Sequence, residues 1–122
     1  MLFNYSRSSV LEERKYQIRL LGTGAANPVT EVGQRVLVTR TAVGVFKVAF
    51  LDHPGTFIRF GWASGATVPG DVKGQTLTRG LPVTDAAGQL SISVSWWSSA
   101  FAADELLATE YLDLEFIFSA LK

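Results

Sequence analysis

VLVTRTAVGVFKVAFLDHPGTF, residues 36–57, decides how this chain is read. Val36 to Arg40 and Val45 to Leu51 are β-rich runs separated by Thr41, Ala42, Val43 and Gly44, a short connection ending in glycine, so the pair reads as a hairpin. Side chains alternate along a strand, which places Phe46, Val48 and Phe50 on one face and Val45, Lys47 and Ala49 on the other. The first set is the expected core. Asp52, His53, Pro54 and Gly55 then end the second run. Pro54 biases His53 towards extended geometry, and Gly55 can take the positive φ of a type II turn. Asp52 is expected to accept a hydrogen bond from the turn backbone. The only histidine of the chain is therefore expected in a hairpin bend at the end of a β-sandwich.

The same punctuation extends outward. YQIRLLG (residues 16–22) alternates Tyr16, Ile18 and Leu20 against Gln17, Arg19 and Leu21, and GTGAANPV breaks it. TFIRFGWASG (residues 56–65) sets Ile58, Phe60 and Trp62 against Phe57, Arg59 and Gly61. Residues 64–88 are rich in Gly, Pro, Thr and Asp, and read as loop with one edge strand at Gln75 to Arg79. LSISVSWW (residues 90–97) turns Leu90, Ile92, Val94 and Trp96 inward and its serines outward, until Trp97 puts an indole on the serine side. AFAADELLATE (residues 100–110) has helix-forming composition with Ser98 or Ser99 as cap, enough for a turn or two. EYLDLEFIFSAL (residues 110–121) opposes Leu112, Leu114, Phe116 and Phe118 to Asp113 and Glu115 and is the strongest strand signal. It is expected at the centre of a sheet, with Arg19, Lys47 or Arg59 as partners of its acids.

Strands with turn signals and no repeat or heptad point to an all-β fold, a seven- or eight-stranded antiparallel β-sandwich. Its connectivity is jelly-roll-like if the long excursion crosses between sheets. Residues 1–15 carry five charges interleaved with serine and show no alternation, so they read as an N-terminal arm on a sandwich spanning residues 16–122. The arm's Leu2, Phe3, Tyr5, Val10 and Leu11 are expected to lie on its own domain or on a neighbour.

Composition narrows the function classes. At 122 residues the chain is the size of one domain. Eleven basic residues balance eleven acidic ones, which leaves no overall field to attract nucleic acid or an anionic membrane surface. The absence of cysteine excludes disulfides, thiolate nucleophiles and Cys-ligated zinc. No apolar run approaches the length of a membrane span. Hydrophobic residues make up 48%, high for a small monomer, so part of that surface is expected between subunits.

Chemistry has few candidates. Asp52 and His53 point to opposite faces if extended and lack a second histidine, and no G-x-S-x-G elbow accompanies the single imidazole. LGTGAANP lacks the Gly-Lys-Ser/Thr ending of a phosphate loop. Asp113 and Glu115 share a strand face as glycosidase carboxylates do, yet read as salt-paired surface. Trp62, Trp96, Trp97 and Phe101 belong to core or interface, or alternatively to a carbohydrate platform. No catalytic residue, metal or cofactor is assigned.

Two segments carry a resemblance. VTRTAVGVFKVAFLD (Val38 to Asp52) resembles the V-x-R-T-x-x-G-x-Y-x-V-x-F hairpin of small bacteriophage structural proteins, with Phe46 where the pattern has an aromatic, often Tyr. YLDLEFIFSALK (Tyr111 to Lys122) resembles their closing strand. These proteins are more distantly similar to C1q-like jelly rolls. The resemblance implies a non-enzymatic virion component, a capsid decoration or cement protein made in the host cytoplasm. Its implied partners are the major capsid protein and further copies of itself, as homotrimer or homodimer, with no nucleic acid or membrane. Leu2, Phe3, Tyr5, Trp97 and Phe101 are the expected contact residues. The alternative is a carbohydrate- or receptor-binding sandwich of a tail fibre.

Overall fold

The computed structural model describes residues 11–32, 35–66, 75–97 and 105–121. Eight strands run through them: β1 (Leu11–Leu21), β2 (Val29–Val32), β3 (Val36–Ala42), β4 (Val45–Phe50), β5 (Thr56–Ala66), β6 (Gln75–Thr84), β7 (Leu90–Trp97) and β8 (Glu110–Leu121). They form two four-stranded sheets, ordered β2-β1-β8-β5 and β3-β4-β7-β6, with every pairing antiparallel. The fold is the antiparallel β-sandwich expected, and no helix occurs among the described residues. The connection from β5 to β6 crosses between sheets, the condition set for jelly-roll-like connectivity, while β1–β2, β3–β4 and β6–β7 stay within one sheet.

The core follows the alternation of the two strongest strands. On β8, Leu112, Leu114, Phe116 and Phe118 are buried, and they face Phe46, Val48 and Phe50 of β4 together with Ile92, Val94 and Trp96 of β7. At one end the rings interlock edge to face: Phe50 lies 5.0 Å from Phe118 and 5.4 Å from Phe116, and Tyr16 lies 5.1 Å from Phe50. Such pairs add roughly 0.5–1.5 kcal/mol each beyond area burial. The hairpin of residues 36–50 forms as read, with Val38 opposite Val48. β8 lies between β1 and β5, central as expected.

Five local expectations are corrected. β1 begins at Leu11 rather than Tyr16, so residues 11–15 of the segment read as arm pair with β8 as far as Leu11 opposite Leu121. Their core-facing positions, Glu12 and Arg14, bond to each other, and Arg14 reaches the His53 carbonyl. The strand thus supplies hydrogen bonds there without apolar alternation. The His53 loop joins β4 of one sheet to β5 of the other, so it is a crossover and not a hairpin bend. In β5 the register slips between Phe57 and Arg59, an extra residue at Ile58. The bulge lets Phe57 and Phe60 both pack on the core while Ile58 stays exposed. β6 continues to Thr84 by a second irregularity between Arg79 and Val83. Residues 105–110 of the expected helical turn form a bridge between Leu106 and Gly24 and then a turn; Ser98, Ser99 and residues 100–104 lie outside the described residues.

Candidate functional site

His53 sits exposed at the end of the sandwich, and the groups around it are structural. Gly55 adopts φ 102°, the left-handed geometry expected after Pro54. Asp52 does not bond the turn backbone. Its Oδ1 accepts a hydrogen bond from the Tyr16 hydroxyl at 2.7 Å, and its Oδ2 accepts one from Arg35 Nε at 3.0 Å. Arg14 donates to the His53 carbonyl at 2.8 Å. The crossover is thereby tied to β1 and to the residue preceding β3. No group of three or more His, Cys, Asp or Glu suited to a metal occurs among the described residues.

This network yields a pH expectation. Burial, and then the hydrogen bond to Asp52, push the Tyr16 phenol up from 10.0 to about 12. The fold favours the neutral phenol, so this stabilisation is complete below pH 10 and is lost as pH rises from there towards about 12. In an ultraviolet titration of the three tyrosines, one should ionise late, and Tyr16→Phe should remove that component. Ionisation of all three near 10 in the folded protein would contradict it.

The outward face of β1, β8 and β5 carries the densest polar arrangement. Arg19 Nε donates to Asp113 Oδ1 at 2.8 Å and its NH2 to Oδ2 at 2.9 Å, a two-point contact that keeps the guanidinium charged. The same guanidinium stacks 4.8 Å above the Tyr111 ring and lies 3.9 Å from Glu31. Glu115 is held by Lys15 at 3.6 Å and Gln17 at 3.4 Å, and Arg59 lies 4.0 Å from Glu13. Asp113 and Glu115 are thus salt-paired surface, as expected. Of their three candidate partners only Arg19 is used: Lys47 belongs to the opposite sheet, and Arg59 turns to Glu13. Ion pairs this open to solvent and salt add little to stability. Ile117 is fully buried on this face, flanked in register by Lys15 and Arg59.

A shallow groove of about 670 Å³ opens here, with Gln17, Arg19, Asp113 and Glu115 along it and Gly61 and Ala63 as its small-residue side. Trp62 lies between them on β5, but its register with Leu114 sets its side chain on the opposite face, where it is 40% exposed. The aromatic platform considered from the sequence is divided. Trp96 is 1% exposed in the core, Trp97 lies half-buried on β7 of the other sheet, and Trp62 is on β5. Of the expected contact residues, Trp97 is therefore not fully buried, while Leu2, Phe3, Tyr5 and Phe101 lie outside the described residues.

Elsewhere, large apolar side chains stand in solvent. Leu81 is 83% exposed and Val83 61%, both at the irregularity in β6, and Leu37 on β3 is 58% exposed. Leu37, Ala49, Ser91 and Val83 form one row across the outward face of the second sheet. Sequence reasoning missed two features. One is the two-point ion pair of Arg40 with Glu105, at 3.0 and 2.7 Å, which ties β3 to the segment before β8. The other is the groove, whose local signal is the run of small residues Gly61, Ala63, Ser64 and Gly65 in β5. No protein-family model, curated protein or solved structure matches the chain.

Proposed function

We propose that this chain is a non-catalytic structural protein of a bacteriophage virion, which binds the major capsid protein and reinforces the shell through apolar contacts between subunits. The observation that carries the assembly reading is the set of large apolar side chains in solvent, above all Leu37, Leu81 and Val83 on one sheet. A lone small domain gains nothing from holding them there, whereas a lattice repeats each modest contact many times. The capsid setting rests on the resemblance of residues 38–52 and 111–122. The polar centres, Asp52 with Tyr16 and Arg35, and Asp113 with Arg19, hold strands and crossover together rather than converging on a reactive group.

Copy number on purified particles tests the setting: hundreds of copies per particle support decoration, and a dozen or fewer point to neck, tail or fibre. The arm is tested by deleting residues 1–10, which spares β1. Attachment to particles should weaken while the domain keeps its unfolding midpoint, and unchanged occupancy would remove the arm from the contact.

The groove favours a second reading. Gln17, Arg19, Asp113 and Glu115 set fixed hydrogen-bonding groups along it, as a site for hydroxyl-rich sugars requires, and the exposed indole of Trp62 is borne by the same strand, β5, on the face of Phe60 and Leu114. That would suit a carbohydrate- or receptor-binding sandwich of a tail fibre. A tryptophan fluorescence titration with glycans, abolished by Trp62→Ala, would support it; no response across a glycan panel would reject it.

A further inference from the structure

The sandwich has four edge strands, and three are blunted. β2 has four residues. The Arg40 amide on the β3 edge is taken by Asn27 Oδ1 at 2.9 Å. β6 is broken between Arg79 and Val83, with Pro82 inside the break. Short length, covering groups, bulges and proline are the usual protections against strand addition. β5 differs. It has eleven residues, pairs only with β8 among the described residues, and runs without a register break from Arg59 to Ala66. It carries one charged side chain, Arg59, and no proline.

We propose that β5 pairs antiparallel with β5 of a second copy of this chain, making one continuous eight-stranded sheet centred on Gly61. Three observations choose this occupant. A two-fold axis perpendicular to the sheet keeps outward residues beside outward residues, and Gly61 is the midpoint of Thr56–Ala66. In that register Phe60 lies opposite Trp62 of the other copy, twice by symmetry. The half-buried ring and the exposed indole thereby become cross-strand aromatic pairs. On the outward face, Arg59 of one copy lies opposite Ala63 of the other, and Ala63 is the register neighbour of Asp113 on β8. The methyl of Ala63 leaves the guanidinium, 4.0 Å from Glu13 in its own copy, a path to Asp113 of the neighbour, which would then bridge it and Arg19. The pairing names the contact through which the proposed assembly role brings copies together, and it rests on that role.

Ala63→Lys and Ala63→Glu make the test, because the monomer and the pair respond to them with opposite sign. Within one copy, lysine at 63 stands beside Asp113 and favours the fold, and glutamate there opposes it. Across the seam, lysine meets Arg59 of the second copy and repels it, while glutamate attracts it. The wild-type chain should sediment as a dimer. Ala63→Lys should weaken dimerisation by about tenfold or more while its unfolding midpoint, compared at a dilution where both proteins are monomeric, is no lower than wild type, and Ala63→Glu should keep the dimer. Because the chain has no cysteine, Gly61→Cys should give a disulfide-linked dimer on mild oxidation, and Leu37→Cys on β3 should not. A wild type that stays monomeric at all accessible concentrations, or an Ala63→Lys dimer as tight as wild type, would overturn the pairing. Shell attachment, measured separately by occupancy on particles, would survive that result.

Discussion

Replacing Phe118 by alanine is expected to remove about 3–5 kcal/mol of folding stability, a large part of the roughly 5–15 kcal/mol typical of a natural domain. Phe118 is fully buried on the central strand of its sheet. Its ring packs against Tyr16 at 5.6 Å, Phe50 at 5.0 Å and Phe57 at 5.6 Å, so three strands and the entry to the His53 crossover meet on it. Truncation takes away the transfer free energy of the ring. It also leaves a cavity between two sheets whose backbones are held by their own ladders and cannot close on it. Denaturant unfolding should show the midpoint falling with little change in slope. Phe118→Leu, which retains most of the volume, should cost less than half as much. A loss below about 1 kcal/mol for the alanine variant would mean that the two sheets do not pack through this cluster.

Gly22→Ala is expected to cost about 3 kcal/mol, although it adds only one methyl group. The Gly22 amide donates to the Glu110 carbonyl at 3.0 Å and the Gly24 amide to the Leu106 carbonyl at 2.9 Å, which draws residues 105–110 against the end of β1. A Cβ at Gly22 would overlap the carbonyl oxygens of Leu106 and Leu107. These are backbone atoms, unable to swing aside as a flexible side chain would. Relief requires the segment to move off, which breaks two hydrogen bonds and withdraws Leu106, 1% exposed, from the core. Thermal unfolding of Gly22→Ala beside Leu106→Ala checks the account. Comparable losses, less than additive in the double variant, are expected because both release the same segment. A Gly22→Ala protein as stable as wild type would show that the 105–110 segment does not sit against β1.

The site was legible only where local pattern and tertiary setting coincide. Asp113 and Arg19 were readable because alternation on two strong strands puts both outward, and a central strand must present its acids to a neighbour. Asp52 was not. The same Asp-His-Pro-Gly signal suits a hairpin or a crossover, and the choice depends on which sheet receives β5. That in turn depends on Phe57, Phe60, Phe116 and Phe118 finding one another across the core. The aromatic platform failed for a related reason: Trp62, Trp96 and Trp97 could be sorted by face but not by sheet.

The sequence by itself determined the class of fold, seven of the eight strands (β2 at Val29–Val32 was not read), the inward set of β4, β7 and β8, and the positive φ of Gly55. Each of these rests on period-two alternation or on the conformational limits of one or two residues, which are local properties. Only the tertiary structure decided the start of β1, the bulge at Ile58, the crossover at His53 and the open edge of β5. Residues 11–15 are strand because β8 offers them hydrogen bonds, and Ile58 is extruded because Phe57 and Phe60 both gain more from the core than regular register allows. Such choices are set by contacts between residues far apart in the chain, whose energies no single segment carries.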